Sequence, residues 1–185
     1  MDVPIDLTHV RLQTPRLLLR PWLASDLDDL YRYASVPGVG EMAGWQPHQS
    51  PQVSEEVLQG WLEKREVLAL VLRETGRVIG SLGLHNSSWA NEDEAYQALR
   101  LKEIGYVLAR DHWGRGLMPE AVAAALDLCF GQLALDAVTV SHFTSNHQSQ
   151  RVIEKMGFAL VKVGQTHSAQ LGKTFESKKY ILYRP

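Results

Sequence analysis

The sequence predicts a single α/β domain built on a mixed sheet with helices on its faces. Three observations carry that reading. Between residues 101 and 158, apolar strand-like runs alternate with stretches of helical periodicity, the pattern of strands separated by covering helices. In the first half, two apolar runs flank Thr75-Gly76, which is a hairpin signal. The chain has 185 residues, 45% of them hydrophobic and 22% charged, with no internal repeat and no dividing linker, so 1–185 reads as one domain.

The elements follow in order. Residues 16–22, RLLLRPW, read as a strand ended by Pro21, and 25–36 as a helix. Ser25 can cap that helix, Asp26, Asp28 and Asp29 suit its positive end, and Pro37-Gly38 stops it. A Gly- and Pro-rich loop leads to a second helix near 53–65, with Val53, Val57, Leu58, Trp61 and Leu62 on one face. The hairpin occupies 67–72 and 77–85, and polar residues 86–97 read as a loop. A strand at 101–110, a glycine turn, an alanine-rich helix to Phe130, a strand at 137–143 and a short helix at 146–158 come next. Two strands, ALVKVG and KKYILY, close the order.

Composition excludes several classes. A formal charge of −2 with mixed signs gives no field favouring nucleic acid or an anionic membrane surface. No stretch approaches the ~20 apolar residues of a membrane span, no secretory leader is visible, and a cytoplasmic protein is expected. The single cysteine, Cys129, cannot form an internal disulfide and falls where a small buried apolar residue is needed. His85, His112, His142 and His147 lack helical i, i+4 spacing with a carboxylate, so no metal is expected.

Chemistry concentrates at two places. The first is the turn DHWGRG before the helix LMPEAVAAALDLCF. Glycines at 114 and 116 permit close backbone approach, Pro119 fits a first helical turn, and Glu120 suits its positive end. Such a turn either binds phosphate through its unsatisfied N–H groups, with Arg115 adding charge, or is a plain packing device. It matches neither the dinucleotide fingerprint nor the P-loop. Residues 38–43 do fit G-x-G-x-x-A, but they follow a helix and a proline instead of a strand, which argues against a dinucleotide site. The second place is SNHQSQRVIEKMGF, where Asn146 can cap a helix and Ser145 and Gln148 have capping-box spacing.

Taken together, EIGYVLAR, DHWGRG, LMPEA and SNHQSQRVIEKMGF resemble the acetyl-CoA-binding core of the GNAT acyltransferase superfamily. Within it they are similar to the RimJ/RimL-type N-terminal acetyltransferases, with a Trp-Gly-(Lys/Arg)-Gly turn, a following Glu-Ala, and Asn-x-x-Ser-x-(Arg/Lys)-(Val/Leu)-x-x-Lys-x-Gly-Phe. The opening TPRLLLRPWLASDLDDLYRY extends the resemblance over nearly the whole chain. One position departs: the superfamily turn begins with Gln or Arg, and Asp111 stands there.

The resemblance implies a mostly antiparallel, splayed sheet with helices on both faces, and direct transfer of an acetyl group from acetyl-CoA to a primary amine. It assigns the pantetheine arm to the backbone of Tyr106, Val107, Leu108 and Ala109. The diphosphate goes to Trp113, Gly114, Arg115, Gly116, Leu117 and Met118. Asn146 contacts the cofactor arm, and Arg151 or Lys155 either meets remaining charge or is a surface residue. Glu103 matches a base position and Ser149 a serine beside the thioester sulfur. A base is needed because an amine of pKa ~8 to ~10 is mostly protonated at neutral pH. Met42 and Trp45 either wall the acceptor pocket or simply pack, and the acidic run 91–95 either attracts a cationic amine or is a solvated loop. The acceptor, a protein N-terminus or a small-molecule amine, stays open, as does a monomer or homodimer. A non-catalytic acyl-CoA-binding module is the alternative; it would need neither Glu103 nor Ser149.

Overall fold

The computed structural model describes residues 3–91 and 93–185. Its elements are β1 (Leu12–Gln13), β2 (Leu17–Pro21), α1 (Leu27–Ala34), α2 (Pro51–Lys64), β3 (Val67–Leu72), β4 (Val78–His85), the single turn α3 (Ser88–Asn91), β5 (Leu101–Leu108), α4 (Leu117–Phe130), β6 (Ala137–Phe143), α5 (His147–Lys155), β7 (Ala159–Ser168) and β8 (Lys173–Tyr183). They form one sheet in the order β1-β2-β3-β4-β5-β6-β8-β7. Neighbours are antiparallel except β5 and β6, which run parallel because α4 crosses between them.

Strand alternation places the layers. Ser81 on β4 opposes Val107 on β5, and Tyr33 of α1 lies beside Ser81, so α1 covers that face. Tyr106, one residue away, points to the opposite face and meets Ser149 of α5. The main core runs through fully buried Leu17, Leu19, Leu68, Leu70, Leu82 and Leu84, and reaches Ala121, Ala125 and Cys129 of α4. Burial pushes the Cys129 thiol up to about 12, which keeps it an inert packing group.

The structure departs from the local reading at several points. Ser25 is exposed and does not cap α1; the Asp26 carboxylate accepts from the Leu23 N–H at 2.8 Å and from Arg20 at 2.7 and 2.8 Å. Asp26 stands at the N-cap position of α1, but its carboxylate turns back to Leu23 and Arg20 and makes no side-chain cap bond to the helix. In α2, Val53 faces solvent while Ser54 turns inward, its hydroxyl 2.7 Å from Nδ1 of buried His48. The 86–97 segment folds into α3 and a 3-10 turn at Glu94–Tyr96 because Trp89 and Ala90 anchor a small second core with Leu101, Ala137 and Ile181. Glu92, within the acidic run, lies outside the described residues. β7 and β8 extend over polar residues to a hairpin tip, held by cross-strand contacts such as Thr166 Oγ1 to Ser177 Oγ at 2.8 Å. Among the described residues no helix is long and apolar enough to cross a membrane.

Candidate active site

The site begins where two parallel strands part. β5 and β6 pair only at Leu101 with Ala137, Lys102 with Val138 and Glu103 with Thr139. Beyond Glu103 the paired register stops and a cavity of about 910 Å³ follows, lined by Tyr106, Val107 and Leu108 from β5 and by Ser149 and Val152 from α5. Backbone groups of β5 on this side therefore face a cleft in place of a neighbouring strand. On the other side β5 stays tightly held: a Cβ added to Gly80 of β4 would stand 2.3 Å from the Val107 carbonyl oxygen.

The glycine turn forms one end of the cavity. Gly114 and Gly116 have φ of 72° and 73°, the left-handed region that favours glycine. Among the described residues, the N–H groups from Gly114 to Met118 have no protein acceptor, and a Cβ at Gly114 would meet nothing within 4 Å. Free amides around open space at the start of a 14-residue helix make an anion cradle. Trp113 anchors the turn by donating its indole N–H to the Leu108 carbonyl at 2.7 Å.

A fork from the distant N-terminal hairpin braces the same turn. Glu120 accepts from Thr14 Oγ1 at 2.5 Å, from the Arg16 N–H at 2.8 Å and from Arg16 Nε at 2.7 Å, while Arg16 Nη1 donates to the Arg115 carbonyl at 2.8 Å. Burial opposes ionisation of Glu120, but the bonds from Thr14 and Arg16 outweigh it and hold the carboxyl below its ordinary range. A depressed carboxylate contributes stability above its unfolded pKa and loses it as pH falls through the folded value. Glu120→Gln is therefore expected to cost ~1–2 kcal/mol at neutral pH, Arg16 being half exposed and solvent-screened, with the difference from wild type shrinking under acid. Urea melts at pH 7 and pH 3 test this; equal differences at both would remove the charge from the account.

Asp111 does not face the cradle. Its carboxylate, at a side chain 79% exposed, accepts from Nδ1 of His112 at 2.7 Å, so the departure at this position carries little charge toward the free amides.

Glu103 and Ser149 stand on opposite faces at the parting strands. Glu103 is the last paired residue of β5, and its Oε1 accepts from Ser141 Oγ of β6 at 2.6 Å. Ser149 lies on the α5 face, its N–H capped by Asn146 Oδ1 at 3.1 Å and its Oγ 3.0 Å from the Tyr106 hydroxyl. Asn146 also donates from Nδ2 to the Met42 carbonyl at 3.2 Å, joining α5 to the loop after α1.

Of the residues singled out from the sequence, Tyr106, Val107, Leu108, Trp113, Gly114, Gly116, Leu117, Met118, Asn146, Ser149, Arg151, Lys155 and Met42 all line the one cavity. Glu103, Ala109, Arg115 and Trp45 do not. Trp45 packs instead, its ring so close to Gly40 that a Cβ there would meet it at 2.2 Å, and 5.1 Å from the His48 ring. Ser145 is not part of a capping box, since Asn146 is the cap. Sequence reasoning did not place Gly38, Val39 or His112 in the lining, because only the tertiary fold brings the loop after α1 against the glycine turn. Among the described residues no group of three or more His, Cys, Asp or Glu is placed to hold a metal.

The parted strands and the free amides of the turn open on one cavity, and comparison with known proteins shows the family that carries this arrangement. Residues 16–159 match the family described as acetyltransferase (GNAT) domain. The chain belongs to the GNAT acetyltransferase family. A relative, the uncharacterized N-acetyltransferase YoaA of Bacillus subtilis (strain 168), is 27% identical over 179 residues, covering 94% of this chain and 97% of the relative. Among solved structures, a GNAT-family acetyltransferase from Bacillus anthracis superposes with TM-score 0.81 at 17% identity, covering 95% of this chain and 99% of that one. The ribosomal-protein-S5-alanine acetyltransferase of Vibrio fischeri does so with TM-score 0.75 at 18% identity, covering 95% and 97%. The GNAT fold, with its mixed eight-stranded sheet, is thus the scaffold. GNAT acetyltransferases use acetyl-CoA as cosubstrate, and this chain is an acyltransferase.

Proposed function

We propose that this GNAT enzyme transfers acetyl from acetyl-CoA directly to a primary amine, with the thioester held in the gap between β5 and β6. The observation that carries the reading is the parting of those strands after Glu103, with a carboxylate on one face and a hydroxyl on the other. Acetyl-CoA fits what the residues offer: free amides from Gly114 to Met118 for a diphosphate, Arg151 and Lys155 for further charge, and the β5 edge for an extended amide-bearing arm. It supplies the activated acyl group; the chain binds, orients and handles protons.

Glu103 is the base that takes a proton from the ammonium form of the acceptor, and Ser141 orients its carboxylate. Ser149 faces the sulfur side and hydrogen-bonds the departing thiolate. The acceptor enters on the side of the loop after α1, which the β7–β8 tip braces through Ser168 Oγ to the Gly44 carbonyl at 2.5 Å and Gln46 Nε2 to the Gln170 carbonyl at 2.9 Å. The name of the Vibrio fischeri neighbour makes a protein N-terminus the first acceptor class to try.

The test is thiol release from acetyl-CoA with a panel of N-terminal peptides, polyamines and aminoglycosides. Acceptor-dependent release supports transfer. Tight acetyl-CoA binding with no release across the panel would favour a non-catalytic acyl-CoA-binding module. Ser149→Ala is expected to lower kcat by ~10- to 100-fold without abolishing transfer, because a hydroxyl is a weak acid. Unchanged steady-state rates would remove its role.

A further inference from the structure

Tyr106 occupies a strand position whose backbone alone was expected to matter, yet its side chain makes the closest polar contact to Ser149 in the cavity. Its Oη lies 3.0 Å from Ser149 Oγ and 3.5 Å from the Ser149 carbonyl oxygen. Both residues line the gap beyond the last β5–β6 pair. Two arrangements satisfy the short contact: the phenol donates to the serine, or the serine donates to the phenol. A phenol is a far stronger acid than an aliphatic alcohol, even one pushed up to about 12 by burial, so it is the better donor of the two. The serine oxygen, correspondingly, is the better acceptor. The helix carbonyl at 3.5 Å is beyond good O–H···O distance and does not compete.

We infer that Tyr106 is a positioning residue: its hydroxyl donates to Ser149 Oγ, so the serine's own hydrogen is directed into the gap toward the sulfur of the acyl donor. This rests on the reading of Ser149 given above. When acyl transfer forms the C–N bond to the acceptor amine and breaks the C–S bond, the electron pair of the latter stays on sulfur as thiolate, and the hydrogen facing it is that of Ser149. Tyr106 gives up no proton in the step. Its bond removes the alternative in which Ser149 turns its hydrogen back to the strand, and donation into Oγ polarises the serine O–H further. Asn146 completes the device by holding the Ser149 backbone N–H at 3.1 Å.

The test is a double-mutant cycle with a near-isosteric change. Tyr106→Phe is expected to lower kcat by ~3- to 10-fold with KM for acetyl-CoA unmoved, because only a hydrogen bond used in the reacting state is removed. In the Ser149→Ala background the same change should cost nothing more, since no hydroxyl is left to orient. Replacing Tyr106 with 3-fluorotyrosine, a better donor of nearly the same size, should keep kcat at or above wild type. If the two losses multiply in full, or 3-fluorotyrosine behaves like phenylalanine, Tyr106 is a packing residue and the inference fails alone. If Ser149→Ala keeps full kcat, the assignment of Ser149 falls first and this inference with it. Thermal melts of each variant separate these results from loss of fold.

Discussion

Glu103→Gln is expected to lower kcat by ~10²- to 10⁴-fold while leaving acetyl-CoA stabilisation intact. The amide keeps the size of the carboxylate and still offers an oxygen to Ser141, so the crotch between β5 and β6 is preserved. What disappears is the carboxylate proposed to take a proton from an incoming ammonium. Because Glu103 lies outside the cavity lining, the loss should fall on the chemical step and not on cofactor affinity. The measurement is kcat against a saturating amine, with a parallel thermal-shift titration. An unchanged kcat would move the base elsewhere, and a lost thermal shift would make Glu103 part of the binding wall.

Gly114→Asp is expected to abolish acetyl-CoA binding while the protein still folds. A Cβ at this position meets no neighbour, so the fold bears only the strain of φ 72°, on the order of 1–2 kcal/mol. The carboxylate would project into the space bounded by the free amides and oppose a diphosphate there. For wild type, ligand at 100 times Kd stabilises by ~2.7 kcal/mol, which at ~2–4 °C per kcal/mol for a chain of 185 residues is a rise in Tm of roughly 5–11 °C. The variant should show none with acetyl-CoA or CoA. An equal rise in the variant would take the diphosphate off this turn, and no rise in folded wild type would leave acyl transfer without its donor site.

Much of this molecule is written locally. The order of strands and helices follows from apolar periodicity, and the β3–β4 hairpin from Thr75-Gly76. The left-handed turn at Gly114 and Gly116 and the Asn146 cap each depend on residues within a few positions of one another. The cap expected at Ser25 is not made, because the Asp26 carboxylate beside it is held by Arg20 of β2 and by the Leu23 N–H, contacts that the 25–36 stretch alone does not show. The loop expectation at 86–97 failed for a similar reason, since Trp89 is an anchor only once Leu101, Ala137 and Ile181 converge beneath it.

The sequence by itself determined the order of the main strands and helices, the glycine turn and the family pattern, because backbone conformation at glycines and along periodic apolar faces is set by neighbours in the chain. Tertiary structure alone decided that β5 leaves β6 after Glu103 and that Glu103 and Ser149 take opposite faces of that gap. It also decided that Glu120 is bound by Thr14 and Arg16, more than a hundred residues away, and that Trp45 packs on Gly40 instead of lining the site. Strand register and side-chain contact are properties of pairs of distant segments, and no short stretch of chain carries the information that sets them.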